Sequence, residues 1–258
     1  MRKFFTLASL VALSMVACTN EESKGEVNEK GSVNFDISVK SDVEITTRAN
    51  VSCTTPAVGD FKLKIEGVSH TYAEEYATIA EFNEENHLYG GTYKATVTAG
   101  DVAEEGYDKA TFVGVKEFAV EARQKTEVEI TACIANTLVK VETTEAFNNY
   151  FVGGHSLELT TNSGNKFDVT AQAEPLFIEP KTFAINGTAV KQANQSGAEG
   201  TVVTLPEYKM ENAAAQTLYT VKLDVENAGR ATLTITLNDT LVESIDIEQE
   251  LNDNSENA

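Results

Sequence analysis

The chain has 258 residues, with 40 acidic and 20 basic side chains, three cysteines and no tryptophan. Its formal net charge of −20 repels phosphate backbones, so the composition argues against nucleic acid as a partner. With 41% hydrophobic and 23% charged residues, the chain is apolar enough to build buried cores, and its length fits one large or two ordinary domains.

Residues 1–17 have the pattern of a secretory signal peptide. Arg2 and Lys3 form a short cationic start, and the apolar stretch that follows is too short to span a bilayer comfortably. It ends in Ala17 and Cys18, an arrangement that resembles the lipobox of bacterial lipoproteins. The resemblance implies cleavage between Ala17 and Cys18 and attachment of palmitate-type fatty chains at Cys18. An ordinary signal peptide with an incidental cysteine is the alternative.

The residues after Cys18 indicate a tether and a location. Glu21 and Glu22 resemble the export signal of Bacteroidota-type lipoproteins, which implies a lipid anchor in the outer membrane and display on the cell surface. A Glu-rich linker facing the periplasm is the alternative. Residues 18–31 are predicted to form the acylated, flexible tether. Cleavage removes two basic residues and no acidic ones, which leaves 18 against 40 and a net charge of −22.

The remainder shows the period-two alternation of half-buried strands, punctuated by turn residues. A first series of predicted strands comprises Val33–Val39, Phe61–Ile65, Tyr93–Val97, Phe112–Val120 and Val128–Ile134. A second series comprises Leu138–Val141, Leu157–Leu159, Leu176–Ile178, Thr182–Ile185, Thr201–Leu205, Leu218–Val225, Leu233–Leu237 and Leu241–Ile247. Glu226–Gly229 predicts a hairpin turn within the second series, and Tyr72–Phe82 is the best helical candidate.

These strands predict an all-β fold with two tandem antiparallel β-sandwich domains, Ig-like or transthyretin-like. The first domain is predicted at 32–135, the second at 136–250, and a polar tail at 251–258. The junction at Ala135–Thr137 has almost no linker, which predicts a semi-rigid rod.

One stretch carries a resemblance to a family. Leu88–Gly100, with Gly91-Thr92-Tyr93 at the start of a strand and Ala99-Gly100 at its end, is similar to the strand of transthyretin-like and fimbrillin-related modules. Together with Phe118–Val120 and Thr126–Val141, it resembles an uncharacterised family of Bacteroidota surface lipoproteins, named only as a domain of unknown function. The resemblance implies a location and a fold more than an activity.

Arg48 and Ala49 resemble the Arg-Ala junction at which an arginine-specific protease cuts fimbrillin precursors. The resemblance implies that Val33–Ile45 leaves and that a strand from another subunit fills the groove. An uncut basic residue in an exposed loop is the favoured alternative, because no hydrophobic donor strand follows Ile247.

Few other side chains indicate chemistry. Cys53 and Cys133 could form a disulfide in an oxidising compartment or remain two free thiols, and no nearby His supports metal binding by the pair. The three histidines are scattered, and no catalytic motif or cofactor-binding loop is recognisable. Glu pairs such as Glu104-Glu105 are interpreted as solvated charge. The sequence therefore predicts no metal site, no cofactor and no enzyme.

Two functions fit this description. The first is an adhesive, structural or fimbria-associated surface module with an unknown protein partner. The second is a glycan-binding accessory lipoprotein of a nutrient-uptake system. Tyrosine and phenylalanine rings could form a sugar platform, but the missing tryptophan disfavours it; the rings are Tyr72, Tyr76, Tyr89, Tyr107, Phe147, Tyr150 and Phe151.

Asp239-Thr240-Leu241 also resembles an O-glycosylation acceptor of this bacterial group, with Thr240 as the modified residue, and a plain turn is the alternative.

Overall fold

A computed structural model describes residues 29–43, 49–50, 53–191, 200–227, 231–237 and 240–246. Within these ranges the chain is built almost entirely of strands. They are β1 (Lys30–Lys40), β2 (Asp42–Val43), β3 (Ala49–Asn50), β4 (Lys62–Gly67), β5 (Ala73–Tyr76), β6 (His87–Tyr89), β7 (Gly91–Ala99), β8 (Phe112–Val120), β9 (Lys125–Ile134), β10 (Thr137–Thr143), β11 (His155–Thr161), β12 (Lys166–Asp168), β13 (Leu176–Ile178), β14 (Phe183–Val190), β15 (Val202–Met210), β16 (Thr217–Asn227), β17 (Ala231–Leu237) and β18 (Thr240–Asp246). The helices are α1 (Ile79–Glu85) and α2 (Glu145–Tyr150), and Val58–Asp60 forms a single 3₁₀ turn. The predicted all-β class is confirmed.

The first half of the chain forms one curled sheet of seven strands, in the order β5-β4-β7-β8-β9-β1-β6. The alternation that predicted β1 places Val33, Phe35 and Ile37 in the core, as expected for a strand with one buried face. The two edge strands, β5 and β6, are joined by α1, whose Phe82 ring lies 5.2 Å from the Phe35 ring. The sheet therefore wraps around a single core, and α1 covers the opening between its edges.

The second half pairs two sheets around its own core. One has the order β13-β10-β16-β17-β18 and the other β12-β11-β14-β15. Strands of both sheets contribute buried side chains to the same cluster, α2 adds Phe147, and Phe151 directly after α2 also packs there. The predicted hairpin is confirmed, because β16 and β17 pair antiparallel from Val221 with Leu237 to Asn227 with Ala231.

Three details of the predicted fold are wrong. The sheets are mixed rather than purely antiparallel, since β1 runs parallel to β9 and β10 runs parallel to β16. Alternation encodes which face of a strand is buried but not the direction of its neighbour, so the sequence pattern could not reveal this. In addition, β1 begins at Lys30, inside the predicted tether of residues 18–31.

The predicted helix at Tyr72–Phe82 is the third wrong detail, because its first half is strand β5 and α1 begins only at Ile79. Thr78 sets this boundary: its side chain accepts a hydrogen bond from the Glu81 N–H at 3.2 Å and caps the helix. Helix α2 was not predicted, since six residues are too few to show a helical stripe.

The two cores meet at strands β10 and β13. Leu138 and Phe177 pack into the first core, whereas Val139 and Leu176 pack into the second, because successive side chains of a strand point to opposite faces. Asn136 at this junction is fully buried: its Oδ1 accepts from the Thr111 N–H at 2.6 Å, and its backbone oxygen accepts from the Gln216 N–H at 2.8 Å. The junction is thus packed and hydrogen-bonded.

Candidate functional site

Most of the predicted modification sites fall outside the described residues. Ala17, Cys18 and Arg48 lie there, so acylation and processing stay predictions. Ala49 opens the short strand β3, which pairs with β2. Thr240 opens β18, where its backbone pairs with Leu237 of β17.

Cys53 and Cys133 are both free thiols. Cys53 packs against the first core, where burial and then the charge of Asp108 raise the pKa of its thiol, which favours the protonated form. Cys133 lies in β9, between Lys40 of β1 and Val113 of β8. The disulfide alternative is therefore not realised in this structure.

The aromatic side chains proposed as a sugar platform do not come together on one surface. Phe147 and Phe151 are buried in the second core, while Tyr72 and Tyr76 pack against the first. Tyr89, in contrast, is exposed in β6 beneath the Lys30 ammonium, 5.2 Å from the ring centroid. The remaining two lie elsewhere: Tyr107 donates to the Asp168 carbonyl at 3.2 Å, and Tyr150 lies under Lys191.

The histidines are likewise separate. The His70 ring lies 4.8 Å from the Tyr93 ring, and the His155 ring lies 5.3 Å from the Phe147 ring in the other half. Within the described ranges, no group of three or more His, Cys, Asp and Glu side chains is placed to hold a metal ion. No described helix is long and apolar enough to cross a membrane.

The candidate surface lies at the end of the second half that is remote from the junction. Strand β9 ends at the junction and β1 runs parallel to it, so Lys30, the first residue of β1, lies at the end of the first half that is remote from the junction. Strand β10 starts at the junction and runs away from it, and α2 and the turn after it follow. Val152 in this turn therefore lies at the opposite end of the molecule from Lys30.

Three valines meet at that end. Val190 and Val202 are cross-strand partners in β14 and β15, and Val152 and Val202 are 65% and 63% exposed. The Gly153 N–H donates to the Val190 carbonyl at 3.2 Å, and a Cβ on Gly153 would lie 2.5 Å from a Val190 methyl group. Gly153 thus lets the Val152 turn lie directly against Val190, which groups the exposed valines.

A row of hydroxyl groups adjoins the valines on the same sheet face. Ser156, Thr188 and Thr204 are register partners across β11, β14 and β15, two residues along the strands from the valine row. They line a shallow depression of about 330 Å³ together with Glu158, whose carboxylate pairs with Lys166 at 2.7 Å. We call Val152, Val190, Val202, Ser156, Thr188 and Thr204 the distal patch; it carries no charge of its own.

The outer face of the first half has a different character. There, Glu66, Lys94 and Glu117 are register partners across β4, β7 and β8 and form a charged row. On a chain with a net charge of −20, the uncharged distal patch is a better contact surface than the charged row, because fewer charges must be desolvated on binding. Sequence reasoning missed the distal patch, since its residues come from three separate segments.

Taken together, these features define an all-β protein with two packed cores and an uncharged patch at one end, and among the described residues no cluster of side chains is placed to hold a metal ion. The chain belongs to the family described as "Domain of unknown function (DUF4493)", whose model matches residues 29–253. The expected membership of an uncharacterised family is confirmed.

Several solved structures are similar to this chain at low identity. A candidate adhesin from Bacteroides ovatus is 9% identical with a TM-score of 0.41, over 83% of this chain and 96% of that one. The fimbrial anchor protein Mfa2 from Porphyromonas gingivalis is 10% identical with a TM-score of 0.39, over 83% and 99%. A candidate polysaccharide-binding protein from Bacteroides thetaiotaomicron is 10% identical with a TM-score of 0.37, over 86% and 99%. No curated protein matches the chain.

Proposed function

We propose that this protein is a non-catalytic lipoprotein, anchored in the outer membrane through Cys18 and displayed on the cell surface, that makes adhesive, structural or fimbria-associated contacts through the distal patch. In this proposal the two halves are tandem sandwich domains divided at residues 135 and 136. The signal pattern of residues 1–18 supports the anchor.

One observation carries the proposal. The chain enters the fold at Lys30, and the distal patch lies at the opposite end, beyond a buried junction. With a tether at one end, an uncharged patch with exposed valines at the other end would be within reach of a partner on another surface, which supports the proposal. The net charge of −20 favours this outward orientation, because anionic membrane surfaces repel the acidic chain.

Adhesion by cells that display the protein tests this proposal. Val152→Asp and Val202→Asp place a charge in the patch, and we expect both to reduce attachment of these cells to partner bacteria or to immobilised matrix proteins by at least about tenfold. Val115→Asp is the matched control, because Val115 is 53% exposed on the outer face of the first half. Equal attachment of all three variants and the parent would contradict the assignment of the patch.

Display itself is tested by protease treatment of intact cells. We expect the full-length band to disappear before lysis. If the band persists until the cells are lysed, the surface location is wrong.

Mass spectrometry of the same band checks acylation at Cys18, a glycan at Thr240 and cleavage after Arg48. Such cleavage would remove β1 and with it three buried side chains of the first core, Val33, Phe35 and Ile37.

Glycan binding by the same patch is the second candidate function. The uncharged hydroxyl row beside an apolar row favours it, because a sugar ring presents both hydroxyl groups and an apolar face. A glycan array discriminates the two functions: selective binding that is lost on Thr188→Ala would favour this function over protein adhesion. Thr96→Ala, on the outer face of β7, is the control.

A further inference from the structure

The loop between β7 and β8, Asp101–Lys109, reaches from the first half to the second. Its ends lie close together, since a Cβ on Gly100 would be 3.0 Å from the Ala110 carbonyl oxygen, and Gly100 has a φ of 90°. Compact loops of this kind fold back on themselves over the protein surface. We call residues 101–109 the clasp.

The backbone of the clasp adds to a sheet of the second half. Gly106 and Phe177 exchange two hydrogen bonds: the Gly106 N–H donates to the Phe177 carbonyl at 2.9 Å, and the Phe177 N–H donates to the Gly106 carbonyl at 3.1 Å. Gly106 has a φ of 152°, in the region that favours glycine, and is buried. The clasp thus pairs with the edge strand β13.

The Glu105 carboxylate adds three hydrogen bonds. Its Oε2 accepts from Thr161 Oγ1 at 2.7 Å and from Asn165 Nδ2 at 2.8 Å, and its Oε1 accepts from the Glu179 N–H at 3.0 Å. Thr161 ends β11 and Glu179 follows β13, so this side chain connects the first half to both sheets of the second. The interpretation of Glu105 as solvated charge is wrong.

Tyr107 makes the last contact between the clasp and the second half: its hydroxyl donates a hydrogen bond to the Asp168 carbonyl at 3.2 Å. The contacts therefore come from three consecutive residues, Glu105, Gly106 and Tyr107. Since the chain itself crosses between the halves at Asn136, the clasp is a second point of attachment. The clasp contacts add to the packed and hydrogen-bonded junction and restrict rotation of the halves further.

We propose that the clasp is a conformational device that sets the orientation of the two halves, and that its contacts open and close together with Glu105 as the positioning residue. In the closed state it fixes the distal patch relative to the chain entry at Lys30. In the open state the halves remain folded and joined through the Asn136 junction, but their relative angle varies over a wider range. The device does not depend on whether the patch binds a protein or a glycan.

Amide hydrogen exchange of the full chain tests the proposal at single residues. In Glu105→Ala we expect the Gly106 and Phe177 amides to exchange on the order of 10- to 100-fold faster, because hydrogen bonds to a charged group are lost and the neighbouring backbone pair opens with them. Glu105→Gln keeps one acceptor oxygen and should give a smaller increase. Glu104→Ala is the matched control, since the Glu104 carboxylate is exposed and bonds only Lys109 within the described residues.

The core amides of Ile65 and Val221 report whether each half stays folded. Fast exchange at Gly106 and Phe177 with these two amides unchanged, accompanied by a larger radius of gyration in small-angle X-ray scattering, is the expected result. Unchanged exchange at Gly106 in Glu105→Ala would overturn the proposal. Equal acceleration at all four amides would overturn it too, because Glu105 would then stabilise the whole fold rather than the clasp.

Discussion

Each half of the molecule contains one short helix, although the two halves have different sheet arrangements. In the first half, α1 joins the two edges of a single curled sheet and buries Phe82. In the second half, α2 connects one sheet to the other and buries Phe147. Each helix begins at a threonine cap, Thr78 or Thr144. A short capped helix that delivers one large ring to the core therefore serves both a curled sheet and a pair of facing sheets.

The largest expected effect comes from removing these rings. Phe82→Ala and Phe147→Ala should each lower the free energy of unfolding by about 3–5 kcal/mol, because both side chains are almost fully buried. Urea unfolding followed separately in each half measures the effect, with Val115→Ala as a control that changes stability by less than about 0.5 kcal/mol. A loss confined to the mutated half would sharpen the comparison, and equal losses in both halves would mean that they unfold as one unit.

The junction should show an effect of intermediate size. Asn136→Ala removes the acceptor for the buried Thr111 N–H, and we expect it to cost about 1–3 kcal/mol. The same urea experiment should register the loss in both halves, because Asn136 lies between the two cores. A loss below about 0.5 kcal/mol would mean that the halves are independent at this point.

The cap of α2 should contribute more to stability than the cap of α1. Thr78→Ala should cost about 1 kcal/mol, since it removes the acceptor for the Glu81 N–H. Thr144→Ala should cost more, because the Thr144 hydroxyl also donates to the Asp224 carboxylate and accepts from the Phe147 N–H. Serine at either position should restore most of the stability. If Thr78→Ala and Thr144→Ala lower the free energy of unfolding equally, the Asp224 contact of Thr144 adds no stability.

The smallest expected effect concerns the parallel strand pair of the first half. Asp36 and Glu129 are register partners on its outer face, and like charges opposite one another are unfavourable. Asp36→Asn should raise the free energy of unfolding by a few tenths of a kcal/mol at low salt, and the gain should shrink in high salt because the repulsion is screened. Asn34→Asp, next to Glu127, should have the opposite sign.

The alternation of apolar and polar residues is sufficient to predict where most strands lie and which of their side chains are buried. Val33, Phe35 and Ile37 alternate with polar residues, and each is buried as the pattern requires. The signal pattern and the family resemblance are also local, because a few neighbouring residues carry them. Short-range periodicity is sufficient for such features, since a strand has one buried face whatever its neighbour is.

How these strands are assembled depends on contacts between segments that are distant in the chain. The parallel pairings of β1 with β9 and of β10 with β16 join segments far apart in the chain, and alternation is the same for either direction. The distal patch and the clasp arise in the same way. Glu105 has the sequence surroundings of a solvated charge, yet folding brings Thr161, Asn165 and the Glu179 N–H to its carboxylate. Its role depends on these distant partners, and no local pattern encodes them.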